Sequence, residues 1–204
     1  MPLAQLLALS GILAPLFYVA ATWLTVWLRP EYSLVLDSVS QLANVSEPFG
    51  ILFILAGAVP VGLLMVTFAY SLWTALPDTR SMLFGIVLLA HEGIALIISF
   101  GVFPRSGPSP GALHVGAGLY ALACGMGARL LLAPSLRSLG GIFFPLTVAV
   151  AVAIPVLFLS AARFSPTPGL YERIAHALLF TWMAAVAVPL LLRPEEELSP
   201  PPAP

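Results

Sequence analysis

Six long, mainly apolar runs constrain this chain more than any other feature: Leu6 to Leu28, Phe49 to Trp73, Met82 to Phe103, Gly111 to Leu132, Leu139 to Ser160 and Glu172 to Leu192. A helix needs about 20 residues to cross a hydrocarbon core of about 30 Å, and each run matches that length. Barrel strands are about half as long and alternate apolar with polar residues, whereas these runs are apolar at consecutive positions. In hydrocarbon every backbone N–H and C=O must be satisfied within the segment, which leaves the helix. The expected fold class is all-α, a polytopic membrane protein whose bundle of six transmembrane helices fills residues 1–192. The tail from Arg193 to Pro204, with three consecutive Glu and then Pro-rich sequence, is expected to be disordered.

Composition removes the soluble alternatives. Charged residues make up 8% of the chain and mean hydropathy is +1.02, where a soluble domain carries about 25% charge. All eight basic residues are Arg, and they form no stripe, so no nucleic-acid partner is expected. Cys124 stands alone, which leaves no disulfide and no thiolate metal site. No metal or cofactor is expected. The first run lacks a basic flank and is too long for a cleaved leader, so it reads as a permanent span.

Ser46-Glu47-Pro48 and Ser109-Pro110 read as N-caps with a first-turn Pro ahead of the second and fourth runs. Six spans put both termini on one face, together with the short turns Thr74 to Ser81 and Ala133 to Ser138. The longer connections, Arg29 to Pro48, Pro104 to Pro110 and Ala161 to Tyr171, share the opposite face. Long polar connections are more often functional than merely connective. The Arg bias that orients membrane proteins is tied, with Arg80, Arg129, Arg137 and Arg193 on the terminal face against Arg29, Arg105, Arg163 and Arg173.

Three segments carry a resemblance: Arg29-Pro30-Glu31-Tyr32 through Asp37-Ser38-Val39-Ser40-Gln41-Leu42, Gly101-Val102-Phe103-Pro104 followed by Gly111-Ala112-Leu113-His114, and Gly169-Leu170-Tyr171-Glu172-Arg173-Ile174. In this order the chain resembles the six-span bacterial and archaeal membrane family catalogued as domain of unknown function 998, over nearly its whole length to Leu192. The resemblance implies the six-span architecture, a prokaryotic cell membrane, both termini cytoplasmic and a set of polar positions, and it implies no reaction. Arg105-Ser106 stands where the family often has an acidic residue, and His91-Glu92 lies outside its pattern.

On the long-loop face the alternation gathers Arg29, Asp37, Ser40, Arg105, His114, Arg163, Glu172, Arg173 and His176. Four Arg near carboxylates and two His are suited to an anionic lipid headgroup, because guanidinium presents a fork to phosphate or carboxylate. The plainer reading is that interfacial Arg snorkel and pair locally. Asp37, Ser40, His114 and His176 are the candidate catalytic groups, with the two His as acid and base. Ser38 to Gln41 has capping-box spacing, so a short helix is expected in the first loop. His114, Gly118, Ala121 and Gly125 form one stripe, expected to point into the bundle as a close-packing face. Glu172 and His176 share a face.

His91 and Glu92 lie near the bilayer centre. Depth separates His91 from the other two His by more than about 10 Å, which argues against a three-His metal site, and H-E without a second His is no zincin motif. Glu92 is expected to be protonated, to pair with His91 or Ser99, or to line a polar pocket. Three functions follow: a protein that binds or acts on membrane lipid at the long-loop face, a small ion- or proton-coupled carrier using His91 and Glu92, or a non-enzymatic subunit that self-associates or joins a membrane partner through small-residue stripes.

Overall fold

The computed structural model describes residues 3–163 and 165–193. Six helices are long and apolar enough to span: α1 (Gln5–Leu28), α2 (Gly50–Ala75), α3 (Arg80–Val102), α4 (Ala112–Leu139), α5 (Phe143–Arg163) and α6 (Pro168–Leu192). The chain is an integral, multi-pass membrane protein. Its expected tail lies outside the described residues except for Arg193, which is a clasp: its guanidinium donates to Ala75 O at 3.1 Å and Ser138 O at 3.4 Å, and its carbonyl accepts from Gln5 Nε2 at 2.5 Å.

Several boundaries differ from those expected. Residues Ala133 to Ser138 are helical, so α4 runs past Pro134 and the turn falls at Gly140, whose φ of 144° ends the helix. Proline lacks only its own N–H, and a helix that close to its end loses one bond. Helix α6 opens on Pro168 at its first turn, one turn before Glu172. The expected caps at Ser46 and Ser109 are absent. Phe49, with a left-handed φ of 63°, precedes α2, and Gly111 precedes α4. Thr79 instead caps α3, its hydroxyl accepting from Met82 N at 3.1 Å.

Each span packs on its neighbours in the chain, and α1 closes against α6. The result is a ring of six helices with a central space to fill. In the half nearer the termini the space is filled: Phe68, Leu72, Met82, Leu132, Trp182 and Met183 are all below 2% exposed, with Phe68 set edge-on to Trp182 at 6.2 Å. At mid-bundle Gly62 and Gly93 let α2 and α3 approach closely, since a Cβ on either would stand 2.6 Å from the other's carbonyl oxygen. In the half nearer the long loops the centre is hollow.

Two wide π-helical turns, Ile54–Ala58 in α2 and Ile98–Val102 in α3, pack against each other at the hollow level. Such turns recur at functional sites because they release a carbonyl from the helix ladder. Here Phe103 N bonds to Ile98 O at 2.9 Å, which leaves Ser99 O without its α-helical donor.

Candidate functional site

The hollow is a cleft of about 350 Å3 to which all six spans contribute lining, within the usual size of a small-molecule site. Its walls are mainly apolar, among them Phe53, Met65, Leu96, Ile154, Phe158 and Leu179. Lining residues that remain exposed are Pro110, just before α4, Val115, Gly118 and Leu119, within its first two turns, and Leu159 and Ala162, near the end of α5. The exposed part of the lining therefore lies on α4 and α5.

The first long loop covers the ring's end. Its short helix, Val39–Leu42, forms as the capping box predicts, with Ser38 N donating to Gln41 Oε1 at 2.6 Å. Tyr32 is buried, and burial pushes its phenol up to about 12, so it remains a donor to Asp37 O and Ser38 O at 3.1 and 2.8 Å. The other long loops are sewn to this cover. Val45 N donates to Arg105 O at 2.9 Å, and the buried Asn44 bonds Gly107 through both its amide nitrogen and its oxygen. From α6, Glu172 Oε2 accepts Val39 N at 2.6 Å, while Arg173 donates to Asp37 O at 3.1 Å and Tyr32 Oη at 2.5 Å.

Three of the four Arg expected to grip an anion are therefore engaged within the protein. Arg29 donates to Glu31 at 3.1 Å and Gln41 O at 2.9 Å and lies 3.8 Å from Glu47. Arg105 holds Pro108 O, Gly107 O at 3.3 Å and the hydroxyls of Ser38 and Ser40 at 3.4 and 3.3 Å. Arg163 is exposed at the end of α5. Asp37 spends its carboxylate on Ser33 N at 2.7 Å. Of the remaining candidates, the structure brings Ser40, His114, Glu172 and His176 together along the cleft, with Glu92 at the same cavity's wall.

Each His is held by its Nδ1. The Ser99 carbonyl freed by the π turn lies 2.9 Å from His114 Nδ1, and Phe103 O lies at 3.1 Å. His176 Nδ1 meets Glu172 O at 2.7 Å, one turn back, and its ring stacks on Tyr18 at 5.0 Å between Phe158 and Phe180. The stripe following His114 serves differently from the expectation: Gly118 and Ala121 line the cleft, and a Cβ on Gly118 would meet only Ser99 Oγ, at 4.0 Å. The small residues there leave space open.

Glu92 pairs with neither His91 nor Ser99. Its partner is Arg129, whose Nη2 lies 3.2 Å from both carboxylate oxygens, with the two residues 8% and 1% exposed. Arg129 therefore belongs inside the bundle and not on the terminal face. A helical side chain tilts toward its helix's N-terminus, so the long Arg129 reaches back one turn, over Gly125. A Cβ at Gly125 would collide with the Glu92 carboxyl and stand 2.6 Å from Arg129 Nη1. The guanidinium lies 4.9 Å over the Trp182 ring, and Trp182 Nε1 donates to Thr147 at 2.9 Å, so α3, α4, α6 and α5 are tied in sequence. His91 faces outward, with Nδ1 2.7 Å from Val87 O.

The family model described as "Protein of unknown function (DUF998)" matches residues 12–189. No curated protein and no solved structure matches the chain.

Proposed function

The chain belongs to the DUF998 family of membrane proteins, and on that premise we propose that it binds a membrane lipid or acts on one, drawing a hydrocarbon chain into the cleft with the polar head beneath the long loops. The observation that carries this reading is a largely apolar cavity of about 350 Å3 whose exposed lining lies on α4 and α5, where a lipid chain can enter from the side. A lipid chain entering there would cover the apolar lining without crossing a polar barrier. With the termini cytoplasmic, as the family resemblance implies, the head would sit in the outer leaflet. Ser40, Glu172 and His176 meet it there, while Arg29, Arg105 and Arg173 hold the cover that forms its ceiling.

A carrier built on Glu92 draws less support, because Arg129 already neutralises that carboxylate and His91 faces away from the cleft. The test is photo-crosslinking in phosphatidylcholine vesicles doped with phosphatidylcholine bearing a diazirine near the end of one chain. Adducts are expected on Met65, Leu96 and Leu179, which line the cleft; Met65 and Leu179 are buried from the outside. Adducts confined to outward residues such as Trp23, Phe84 and Val87 would refute lipid entry.

A further inference from the structure

The polar end of the cleft is rich in acceptors. The oxygens within hydrogen-bond distance of His114 Nδ1 and of His176 Nδ1 include backbone carbonyls, which only accept, so both Nδ1 atoms carry hydrogen. Among the described residues no carboxylate lies within ion-pair distance of either ring, and a charged imidazole in this setting would be uncompensated. Each neutral ring then presents Nε2 as a lone pair, and no described protein group donates to either one. Glu172 is in the same position: Oε2 takes the Val39 N–H, and Oε1 has no protein donor. All three residues line the one cavity. Arg105 and the Nη atoms of Arg173 turn to loop carbonyls and hydroxyls, Arg173 Nε is buried without a partner among the described residues, and neither residue lines the cavity; among the lining groups the uncharged Tyr18 hydroxyl also has no described partner.

We propose that the occupant of this cleft is an amphiphile whose head brings hydrogen-bond donors and positive charge, a primary ammonium on a hydrocarbon chain, and not the anionic head that the Arg content suggests. An ammonium offers three N–H donors, and Glu172 Oε1 and the two imidazole Nε2 atoms are acceptors without a described protein donor at different points of the same cavity wall, with Glu172 the charged one. A phosphate or carboxylate head would set acceptor against acceptor and place a second negative charge beside Glu172, an arrangement that costs affinity. This inference rests on the lipid-binding reading and adds the chemistry of the head.

Two diazirine-bearing probes of equal chain length, an alkylamine and an alkyl phosphate, are added separately to the protein in phosphatidylcholine vesicles. Labelling at Leu96 and Leu179 is expressed relative to labelling at the outward Phe84 and Val87, which cancels unequal partition into the bilayer. The amine is expected to label the cleft at least about tenfold better than the phosphate, the scale of one charge-assisted hydrogen bond. Glu172→Gln keeps an oxygen for Val39 N and should remove most of that preference. His176→Phe, which preserves the aromatic stack, should reduce it without abolishing cleft labelling. Equal labelling, or a preference for the phosphate, overturns the proposal while leaving lipid entry standing. Absence of cleft labelling by either probe, and by the phosphatidylcholine probe, overturns both.

Discussion

Burial makes the Glu92 and Arg129 pair consequential. Removing one member of a buried ion pair strands the other and costs about 3–5 kcal/mol, whereas replacing both with apolar residues is often neutral. Glu92→Leu and Arg129→Met are each expected to lower the melting temperature in detergent sharply, and the double variant to recover most of the loss. Two single losses that simply add would show that the residues act independently. Glu92 stands out in the sequence because an acidic residue far from either end of an apolar run is rare. Its partner does not, because Arg129 lies three residues from the end of its hydrophobic run and reads as interfacial. Only Gly125, one turn earlier, hints that a long side chain folds back there, and a glycine alone has many explanations. Arg105 is the other informative residue. Its donors converge on Gly107 O, Pro108 O and the hydroxyls of Ser38 and Ser40, so Arg105→Ala should speed amide exchange across residues 38–47 and 104–110 and leave the spans protected. Lysine should not restore it, since a point charge cannot reproduce the planar fork. Unchanged exchange in both loops would contradict the stitching role.

Among the elements, α4 decides whether the cleft exists. Hydropathy locates the helix, and helical spacing puts His114, Gly118, Ala121 and Gly125 on one inward stripe, as found. Spacing leaves undetermined whether small residues admit a neighbouring helix or leave a hole, because that depends on what α3 sets opposite each of them. At Gly125 the space is taken by Glu92, and at Gly118 it is open. Gly118→Trp should therefore fold normally, with a melting temperature near that of the parent, and block chain entry by filling the cleft beside Ser99. Cleft crosslinking from the phosphatidylcholine probe should fall to background in that variant, and full labelling would contradict chain entry into the cleft there. The long loops were legible in part. The capping box at Ser38 and Gln41 announced the short helix, and the shared long-loop face announced that the long loops and the start of α6 would lie together. Whether the guanidiniums face a ligand or the loop carbonyls follows from backbone turns at Gly107 and Asp37 that no residue pattern specifies.

Across the whole molecule, chain-order packing with α1 against α6 explains why a cavity occurs at all. Six helices in a ring surround more space than their inward side chains fill unless large residues occupy it. Phe68, Trp182 and Met183 do so in the terminal half, while Gly118, Ala121 and Ala175 on the other half do not. The number of spans, the shared side of the termini and the polarised distribution of polar residues were all readable from run length and alternation. Ring closure was not, since a hydropathy pattern carries no information on which nonadjacent spans meet. The most direct measurement is native mass spectrometry of the purified chain released from nanodiscs, comparing the parent with Gly118→Trp. The parent is predicted to retain one lipid-sized adduct at activation energies that strip annular lipid, and the variant to lose it under the same conditions. Equal retention, or no resistant adduct on the parent, would contradict a lipid-binding cleft.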